Sequence, residues 1–381
     1  MRPSRFVIVA ASLLALLHAY IGYQLLPDLP IGLAGRIGGA LWLALSWLLI
    51  PIGLMMSRSI KQQPLADRLA WAGMLMMGLF SSLLVLTFLR DIALLLAGFF
   101  MPTSLAAVVV PWSAIAVVAL AVLATLIGLV NARRRAQVVN VDVPIIGLPA
   151  ELNGFTIAQL SDIHVGATIK RGYLDAIVDT VNGLHADVVA ITGDLIDGSV
   201  QQLAPHTAPL ARLEARHGTY FVTGNHEYYS GATAWVAELR RLGLHVLLNE
   251  HVVLDHDGKT LLVAGVTDYG AEQFDPAQRS DPTAALAGAP PVAGPKVLLA
   301  HQPRSAPAAA AAGFDLQLSG HTHGGQFWPW NLFVRFQQPY TAGLHRLNQL
   351  WVYTSRGTGY WGPPKRFGAP SEITRLRLVA A

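Results

Sequence analysis

Five short apolar runs in the second half of the chain each end in a polar cluster of Asp, His or Asn side chains. The central run, Val188–Ile191, is typical of a buried parallel strand and is soon followed by Gly193 and Asp194. In open α/β sheets, chemistry gathers at the carboxyl ends of the strands. One Asp at such a place commonly caps the next helix, but five similar clusters predict a metal site. The clusters are Asp162-Ile163-His164, Gly193-Asp194, Gly224-Asn225-His226-Glu227, His301 and Gly320-His321-Thr322-His323.

Composition divides the chain sharply into two parts. Residues 1 to 130 carry few charges and several long apolar runs, whereas residues 140 to 381 have the composition of a soluble domain. The formal net charge of +4 argues only weakly for a nucleic-acid partner, so none is expected. The absence of cysteine excludes disulfides, thiolate metal ligands and a cysteine nucleophile. We therefore predict a transmembrane helical region over residues 1–135 and a catalytic domain over residues 140–381.

The first region predicts about four transmembrane helices, because it holds four apolar segments long enough to span a bilayer. A secretory signal peptide competes for the first segment, since Arg2 and Arg5 precede it, but no convincing cleavage site follows. The short run Ile92–Met101 is interpreted as interfacial or re-entrant, which leaves a count of five spans open. The four predicted spans are Phe6–Leu26, Ile37–Met56, Leu69–Leu89 and Ser104–Val130.

The basic residues between the spans predict how the protein is oriented in the membrane. The loops between spans one and two and between spans three and four hold only Arg36 and Arg90. With four spans, both termini and the catalytic domain lie on the cytoplasmic side of the cell or inner membrane. His18, a lone histidine in the first span, is expected to play a structural role facing the bundle. The basic residues that support this orientation are Arg2, Arg5, Arg58, Lys61, Arg68, Arg133, Arg134 and Arg135.

Strand and helix patterns alternate after residue 140. Tyr173–Leu184 has helical spacing with apolar residues on one face, and Asp257-Gly258 is typical of a hairpin turn. The segment Pro276–Pro295 is rich in Ala, Pro and Gly and predicts a surface loop or a helix plus loop. This order of elements predicts two sheets sandwiched between helices.

The polar clusters have a chemistry suited to a pair of metal ions. Oxygen and imidazole ligands without sulfur suit Mn, Fe, Zn or similar divalent ions. Two ions about 3.5–4 Å apart need a bridging ligand, and the Asp194 carboxylate is the natural candidate. Asp162 and His164, two residues apart in an extended chain, lean to the same side. Asn225 offers a neutral oxygen, and its neighbour His226 points elsewhere and is free to act as an acid. His321 and His323 have the same spacing as the first pair but could serve different ions.

These motifs resemble those of the calcineurin-like metallophosphoesterase superfamily. Its pattern of D-x-H, G-D-x-x-D, G-N-H-[DE], H and G-H-x-H is complete between residues 155 and 325. Ser355-Arg356-Gly357-Thr358-Gly359 and Pro370-Ser371-Glu372-Ile373 look like the bacterial, membrane-anchored YkuE/YaeI-type branch. The resemblance implies an α+β/α/β domain built as a four-layer α-β-β-α sandwich, preceded by the all-α transmembrane region.

The resemblance also implies roles for individual residues. A hydroxide held between two metal ions attacks phosphorus in line, and the metals stabilise the growing charge. His226 protonates or hydrogen-bonds the leaving oxygen, and Asp197 orients it. Asp162, His164 and His323 bind the first ion; Asn225, His301 and His321 bind the second; Asp194 bridges both.

The sequence departs from some family members at the phosphate clamp. Those members carry an arginine just after the second Asp of G-D-x-x-D, where this chain has Gly198. Arg356 is a candidate for that task, and the alternative is a surface or packing arginine. Glu227 is expected either to support a ligand or to begin a helix.

Three functions remain open from the sequence. The first is a membrane-anchored phosphodiesterase or pyrophosphatase acting on a lipid-linked phosphate, which related hydrolases of UDP-diacylglucosamine make plausible. The second is a tethered phosphatase for soluble nucleotides or phosphoproteins, and the third is a non-catalytic membrane sensor, which the complete ligand set disfavours. Several aromatic residues either form an apolar entrance at the interface or pack the edge of the sandwich. They are Phe327, Trp328, Trp330, Phe333 and Phe336.

Overall fold

The computed structural model describes residues 5–55, 60 and 62–381. The chain forms two compact units, one running to Val130 and including Gly362–Lys365, the other comprising Asn131–Trp361 and Arg366–Ala381. The basic residues Arg2, Arg58 and Lys61, and the predicted end of the second span at Met56, lie outside the described residues.

The first unit consists of four helices, each long and apolar enough to cross a membrane. The predicted count of about four is confirmed. Ile92–Gly98 is the last part of the third helix rather than a separate interfacial segment. The helix continues there because no Pro interrupts the chain before Pro102, which follows its end. The helices are α1 (Arg5–Leu25), α2 (Gly32–Met55), α3 (Gln63–Gly98) and α4 (Thr103–Arg133).

Two polar side chains tie the helices of this unit together. Arg90 lies inside α3, not in a loop, and it pairs with Asp28 and donates to Ser113 Oγ at 2.8 Å. His18 is buried, with its Nε2 3.1 Å from Ser46 Oγ on α2. His18 therefore faces the bundle interior, as predicted. Because an unpaired polar group costs free energy in lipid, these bonds favour one packing of the helices.

The second unit alternates strands and helices before passing to a strand-rich carboxyl half. The predicted loop Pro276–Pro295 contains two short 3-10 turns and no strand. The elements are β1 (Gln137–Ile145), β2 (Thr156–Leu160), α5 (Arg171–Asn182), β3 (Val188–Ile191), α6 (Val200–Thr207), β4 (Thr219–Phe221), α7 (Asn225–Ser230), α8 (Ala232–Arg241), β5 (His245–Val246), β6 (Glu250–His256), β7 (Lys259–Gly265), β8 (Lys296–Leu299), α9 (Ala306–Ala311), β9 (Leu316–Ser319), β10 (Gly343–Leu347), β11 (Leu350–Thr354) and β12 (Glu372–Ala380).

The strands form two six-stranded sheets. The first has the order β1-β12-β2-β3-β4-β5, and the second has the order β10-β11-β9-β8-β7-β6. β2 to β5 are parallel neighbours, so their carboxyl ends meet at one edge. β8 and β9 are parallel to each other in the second sheet. β6 and β7 form the predicted hairpin, whose turn residues Asp257 and Gly258 have φ of 53° and 82°.

Burial explains why the central strands are apolar throughout. In β3, Val189 and Ile191 pack with the helices α5, α6 and α8, while Val188 and Ala190 pack in the core shared by the two sheets. A third core lies between the other face of the second sheet and α9, with Ala309 among its members. The order of layers is therefore helix, sheet, sheet, helix, which confirms the predicted four-layer sandwich.

Candidate metal centre

The five polar clusters come together at the carboxyl ends of β2, β3, β4, β8 and β9. In each of three groups of side chains, one ligand atom per residue lies within 4.8 Å of the others. The positions of these residues at strand ends predicted this convergence, and the residues lie close together in the structure. The groups are Asp162, His164 and His323; Asp194, His301 and His321; and His164, Asp194 and His226.

Asp194 lies at the centre of the cluster. Its Oδ2 is 3.2 Å from His301 Nε2 and 3.9 Å from His164 Nε2. His226 Nε2 is also near, at 4.0 Å. The carboxylate of Asp194 thus faces histidines from both predicted ligand sets, which is the position that a bridging ligand needs.

The histidine nitrogens face one another in pairs around this carboxylate. His164 Nε2 and His323 Nε2 are 3.0 Å apart, and His321 Nδ1 is 3.2 Å from His301 Nε2. Asp162 Oδ1 lies 3.5 Å from His323 Nε2. Imidazole nitrogens and a carboxylate oxygen that face one another in this way are suited to hold a cation.

Asn225 provides an independent test of whether a cation fits. Its Oδ1 is buried and has no hydrogen-bond partner within the described ranges 5–55, 60 and 62–381. Because a buried carbonyl oxygen without a partner costs free energy, such an atom calls for an explanation such as an ion. Oxygen and imidazole donors without sulfur match hard or borderline divalent ions. The residues therefore fit the metal centre that the sequence predicted.

Two glycines of the motifs allow the carboxylates to come this close. A Cβ at Gly224 would lie 2.6 Å from the Asp194 backbone nitrogen and would also overlap Asp194 Oδ1. A Cβ at Gly320 would overlap Asp162 Oδ2 and would lie 2.9 Å from Ser161 Cβ. Glycine is needed at these positions because the backbone of one strand end packs directly against the ligand of another.

The candidate ligands adopt an uncommon backbone conformation. Five non-glycine residues of the cluster have φ between 50° and 69°, a left-handed conformation that costs energy for residues with a Cβ. Such strain persists only where the surrounding structure fixes it, and it is typical of functional sites. These residues are Asp162, His164, Asp194, His321 and His323.

His226 and Asp197 form a short pair at the rim of the cluster. His226 Nδ1 is 2.5 Å from Asp197 Oδ1, and the other oxygen of Asp197 is 3.2 Å from His164 Nδ1. Burial lowers the pKa of His226, but the Asp194 and Asp197 carboxylates outweigh burial and raise the pKa to about 9. Burial raises the pKa of Asp197, but His164 and His226 together hold this pKa well below its usual range. The pair is therefore an imidazolium held by a carboxylate.

The two histidines of the G-H-x-H motif are neutral. Burial and the neighbouring His301 lower the pKa of His321 to about 3, and burial with His164 lowers the pKa of His323. A metal ligand must have its nitrogen lone pair free, so these low pKa values keep both side chains ready to coordinate.

Glu227 links the loops that carry the ligands. Its fully buried carboxylate accepts hydrogen bonds from the backbone N–H groups of Asp194 (3.0 Å), Leu195 (2.8 Å) and Gly224 (2.6 Å). Glu227 also stands in the first turn of α7. Glu227 therefore both supports a candidate ligand and begins a helix, as the sequence suggested. It fixes the turn after β3 against the turn after β4.

Arg366 supports His323 and was missed in the sequence. The buried guanidinium donates to the carbonyls of Arg356 (2.7 Å), Gly359 (3.0 Å) and Ala369 (3.1 Å), and its Nη2 is 3.2 Å from His323 Nδ1. A single arginine in an irregular loop has no spacing signal that could have pointed to this role.

Arg356 does not hold a free position as a phosphate clamp. Its Nη1 donates to Glu372 Oε2 at 2.8 Å, and Glu372 is fully buried. The geometry therefore favours the alternative of a packing arginine, because its charge compensates a buried carboxylate.

The aromatic segment after the last cluster lies mainly on the surface. Trp328 and Trp330 are each 42% exposed, Phe333 is 53% exposed and Phe336 is 73% exposed, whereas Phe327 is buried. Of these five residues, Phe327 alone is buried and packs against the sandwich. The other four form an apolar surface, which we call the aromatic segment.

Comparison with known proteins agrees with this site. The family model described as "Calcineurin-like phosphoesterase" matches residues 155–325. An uncharacterized metallophosphoesterase of Aquifex aeolicus is 30% identical over 226 residues, covering 58% of this chain and 84% of the relative. The uncharacterized metallophosphoesterase YkuE of Bacillus subtilis is 30% identical over 248 residues, covering 61% of this chain and 81% of the relative.

A vertebrate relative is named both as a transmembrane protein and for a metallophosphoesterase domain. The "Transmembrane protein with metallophosphoesterase domain" of Danio rerio is 40% identical over 262 residues, which are 67% of this chain. The match spans 60% of the relative's own length. Together with the four apolar helices, this likeness marks the chain as a membrane protein. The chain belongs to the calcineurin-like metallophosphoesterase family, in the branch that includes YkuE.

Proposed function

We propose that the protein is a metal-dependent phosphoester hydrolase of the phosphodiesterase or pyrophosphatase type that works with two divalent ions. The observation that carries the proposal is the convergence of Asp, His and Asn donors around Asp194, with Asn225 Oδ1 buried and unpaired in the described part of the chain. Mn, Fe, Zn or similar ions suit this donor set.

The distances support the ligand sets that the family resemblance implies, except for Asn225, for which only the buried, unpaired Oδ1 speaks. Asp162, His164 and His323 would hold one ion, with Asp194 as the shared ligand. Asn225, His301 and His321 would hold the other ion. Bound ions would supply a nucleophile at neutral pH and would stabilise the charge that develops on the phosphoryl oxygens.

His226 is placed to handle the proton of the leaving group. Its Nδ1 is bonded to Asp197, so the ring is fixed and its Nε2 is directed toward the cluster. Asp197 stabilises a proton on Nδ1, so a protonated His226 can donate from Nε2 to the leaving oxygen. Asp197 orients the ring and stabilises its charged form, as the carboxylate of a catalytic triad does.

A lipid-linked phosphate is the substrate class that the surroundings favour. The aromatic segment begins five residues after His323, and its rings are exposed. Tyr229 and Trp361 stack edge-on against the His226 ring, with centroids 5.3 and 5.6 Å away, and both are about half exposed. Exposed apolar patches of this kind mark ligand or membrane contacts. A substrate with an acyl or prenyl chain would cover them.

The orientation proposed for the catalytic unit is cytoplasmic, at the cell or inner membrane. Arg133 ends the last apolar helix, Arg134 and Arg135 directly follow it, and Arg68 lies near the start of α3. Basic residues at these ends of membrane helices are retained on the cytoplasmic side.

The test is hydrolysis by the full-length protein in detergent, with chelator or with added Mn²⁺. The panel is bis-p-nitrophenyl phosphate, p-nitrophenyl phosphate and UDP-diacylglucosamine. Metal-dependent turnover that is lost in Asn225→Leu but kept in Asn331→Leu supports the hydrolase. Faster turnover of the lipid compound supports the proposed substrate class. Faster turnover of the soluble compounds, at a rate that does not depend on the detergent, favours the tethered phosphatase. No turnover with any metal, together with no bound metal, would favour the sensor and contradict the proposal.

A further inference from the structure

The second unit contains a cavity that is separate from the metal centre. Its volume is about 270 Å³, and it is formed by the chain that leaves α4, by one face of α5 and by the start of β12. None of the candidate metal ligands lines it. The lining residues that matter are Arg133, Arg135, Ala136, Ala176, Thr180 and Ile373.

The cavity carries positive charge without a carboxylate in its wall. The nearby acids of α5 are engaged with Arg212, which lies 2.8 Å from Asp175 and 2.9 Å from Asp179. Neither acid lines the cavity, and Arg135 forms no ion pair with the described residues 5–55, 60 and 62–381. Arg133 is held by bonds to the Thr168 carbonyl at 3.1 Å and to a tyrosine hydroxyl. The guanidinium of Arg135 therefore stands beside that of Arg133 at one opening, and no carboxylate lines the wall.

The rest of the wall is apolar or weakly polar. Ala136 and Ile373 are buried, Ala176 is partly buried, and Thr180 contributes a hydroxyl that is bonded within α5. A ligand that fits this cavity has an anionic group that binds the arginines and an apolar or glycerol-like part that contacts the remaining lining residues. Arginine binds phosphate oxygens through two parallel N–H donors, which makes a phosphate the matching anion.

The sequence position of the cavity indicates where that phosphate comes from. The apolar stretch of α4 ends at Val130, and Arg133 and Arg135 follow within five residues. Basic residues directly after a membrane span lie at the depth of the lipid headgroups. We propose that this cavity binds the phosphodiester headgroup of an anionic phospholipid. This site does not depend on the catalytic function.

The neighbouring arginine provides a matched control for the experiment. Arg134 stands between the two lining arginines and carries the same charge, but it does not line the cavity. Arg135→Gln and Arg134→Gln therefore remove one charge each from the same loop. Ala176→Leu fills the cavity and leaves every charge in place.

The measurement is native mass spectrometry of the full-length protein with dioctanoyl phosphatidylglycerol, dioctanoyl phosphatidylcholine or glycerol 3-phosphate. We expect phosphatidylglycerol to bind about tenfold better than phosphatidylcholine, because the choline cation cancels the phosphate charge and is repelled by the arginines; tenfold corresponds to about 1.4 kcal/mol. Arg135→Gln and Ala176→Leu should each weaken phosphatidylglycerol binding about tenfold, and Arg134→Gln should change it less than about twofold. Unfolding temperatures of the variants show whether each one is folded.

Three results would overturn the assignment. Equal losses in Arg134→Gln and Arg135→Gln would show diffuse attraction by the loop. Unchanged binding in a folded Ala176→Leu variant would show that the cavity is not occupied. Glycerol 3-phosphate binding as tightly as phosphatidylglycerol would identify a soluble phosphate compound, not a lipid, as the ligand.

Discussion

Replacing Asn225 by leucine should separate metal binding from folding. Asn225 Oδ1 is buried without a partner in the described residues, so the metal-free protein carries the cost of a carbonyl that is not hydrogen-bonded. That cost is about 1–3 kcal/mol. Leucine has the same branched arrangement of heavy atoms, lacks the oxygen and is a good helix former at the first position of α7. Asn225→Leu should therefore leave the chelated protein as stable as the wild type, or more stable by about 1–2 kcal/mol.

The effect with metal should have the opposite sign. An ion present at a hundredfold excess over its Kd stabilises the folded state by about 2.7 kcal/mol. For a unit of this size, 1 kcal/mol moves Tm by about 2–4 °C, so one ion raises Tm by about 5–11 °C. Asn225→Leu removes a ligand and should lose the shift due to the second ion, while the first ion, held by Asp162, His164 and His323, should still bind.

Thermal unfolding of the full-length protein in detergent, with chelator and with Mn²⁺, measures both effects. Asn331→Leu is the matched control, because Asn331 Oδ1 is also buried without a partner in the described chain but lies outside the candidate ligand sets. This variant should show the wild-type response to metal. The reasoning is refuted if Asn225→Leu keeps the full metal-induced shift, or if its chelated form is less stable than the wild type by more than about 1 kcal/mol.

Three other changes test separate parts of the account. His226→Asn should lower kcat about 10²–10⁴-fold and leave the metal-induced rise in Tm intact; an unchanged kcat would remove His226 as the proton donor. The double variant Trp330→Ser, Phe336→Ser should lower kcat/KM for a lipid substrate about tenfold, because burying one large apolar side chain contributes about 1.5–3 kcal/mol. Turnover of bis-p-nitrophenyl phosphate, which has no lipid chain, should change less than about twofold. Arg356→Met should lower the free energy of unfolding, measured with urea, by about 1–3 kcal/mol, because the buried Glu372 carboxylate loses the guanidinium that pairs with it. Loss of turnover in a variant of unchanged stability would instead identify Arg356 as the phosphate clamp.

The architecture of the catalytic unit could be predicted because its strands are apolar on both faces. The run Val188–Ile191 is continuous in the sequence since alternate residues pack into two different cores. Parallel strands bring their carboxyl ends to one edge, so polar residues that follow β2, β3 and β4 had to meet. The ligand clusters were therefore visible from order and residue type alone.

Features that depend on packing could not be predicted in this way. The sequence analysis did not predict that α3 extends through Ile92–Gly98. An apolar run too short to span a bilayer can either continue the preceding helix or form a separate segment, and its length alone does not distinguish the two. The role of Arg366 depends on four backbone carbonyls that meet around one guanidinium. Exposure of Trp330 and Phe336 was equally hidden, because aromatic residues in a loop are compatible with either a core or a surface.

The most direct test of the central claim is a titration of the chelated full-length protein with Mn²⁺ while hydrolysis of bis-p-nitrophenyl phosphate is followed. Two ions held around Asp194 predict no turnover in chelator and a rise to a plateau at about two equivalents of Mn²⁺ per chain. Asn225→Leu should remain inactive throughout the titration. Full turnover in the presence of chelator, or a plateau at about one equivalent, would contradict a hydrolase that works with two ions.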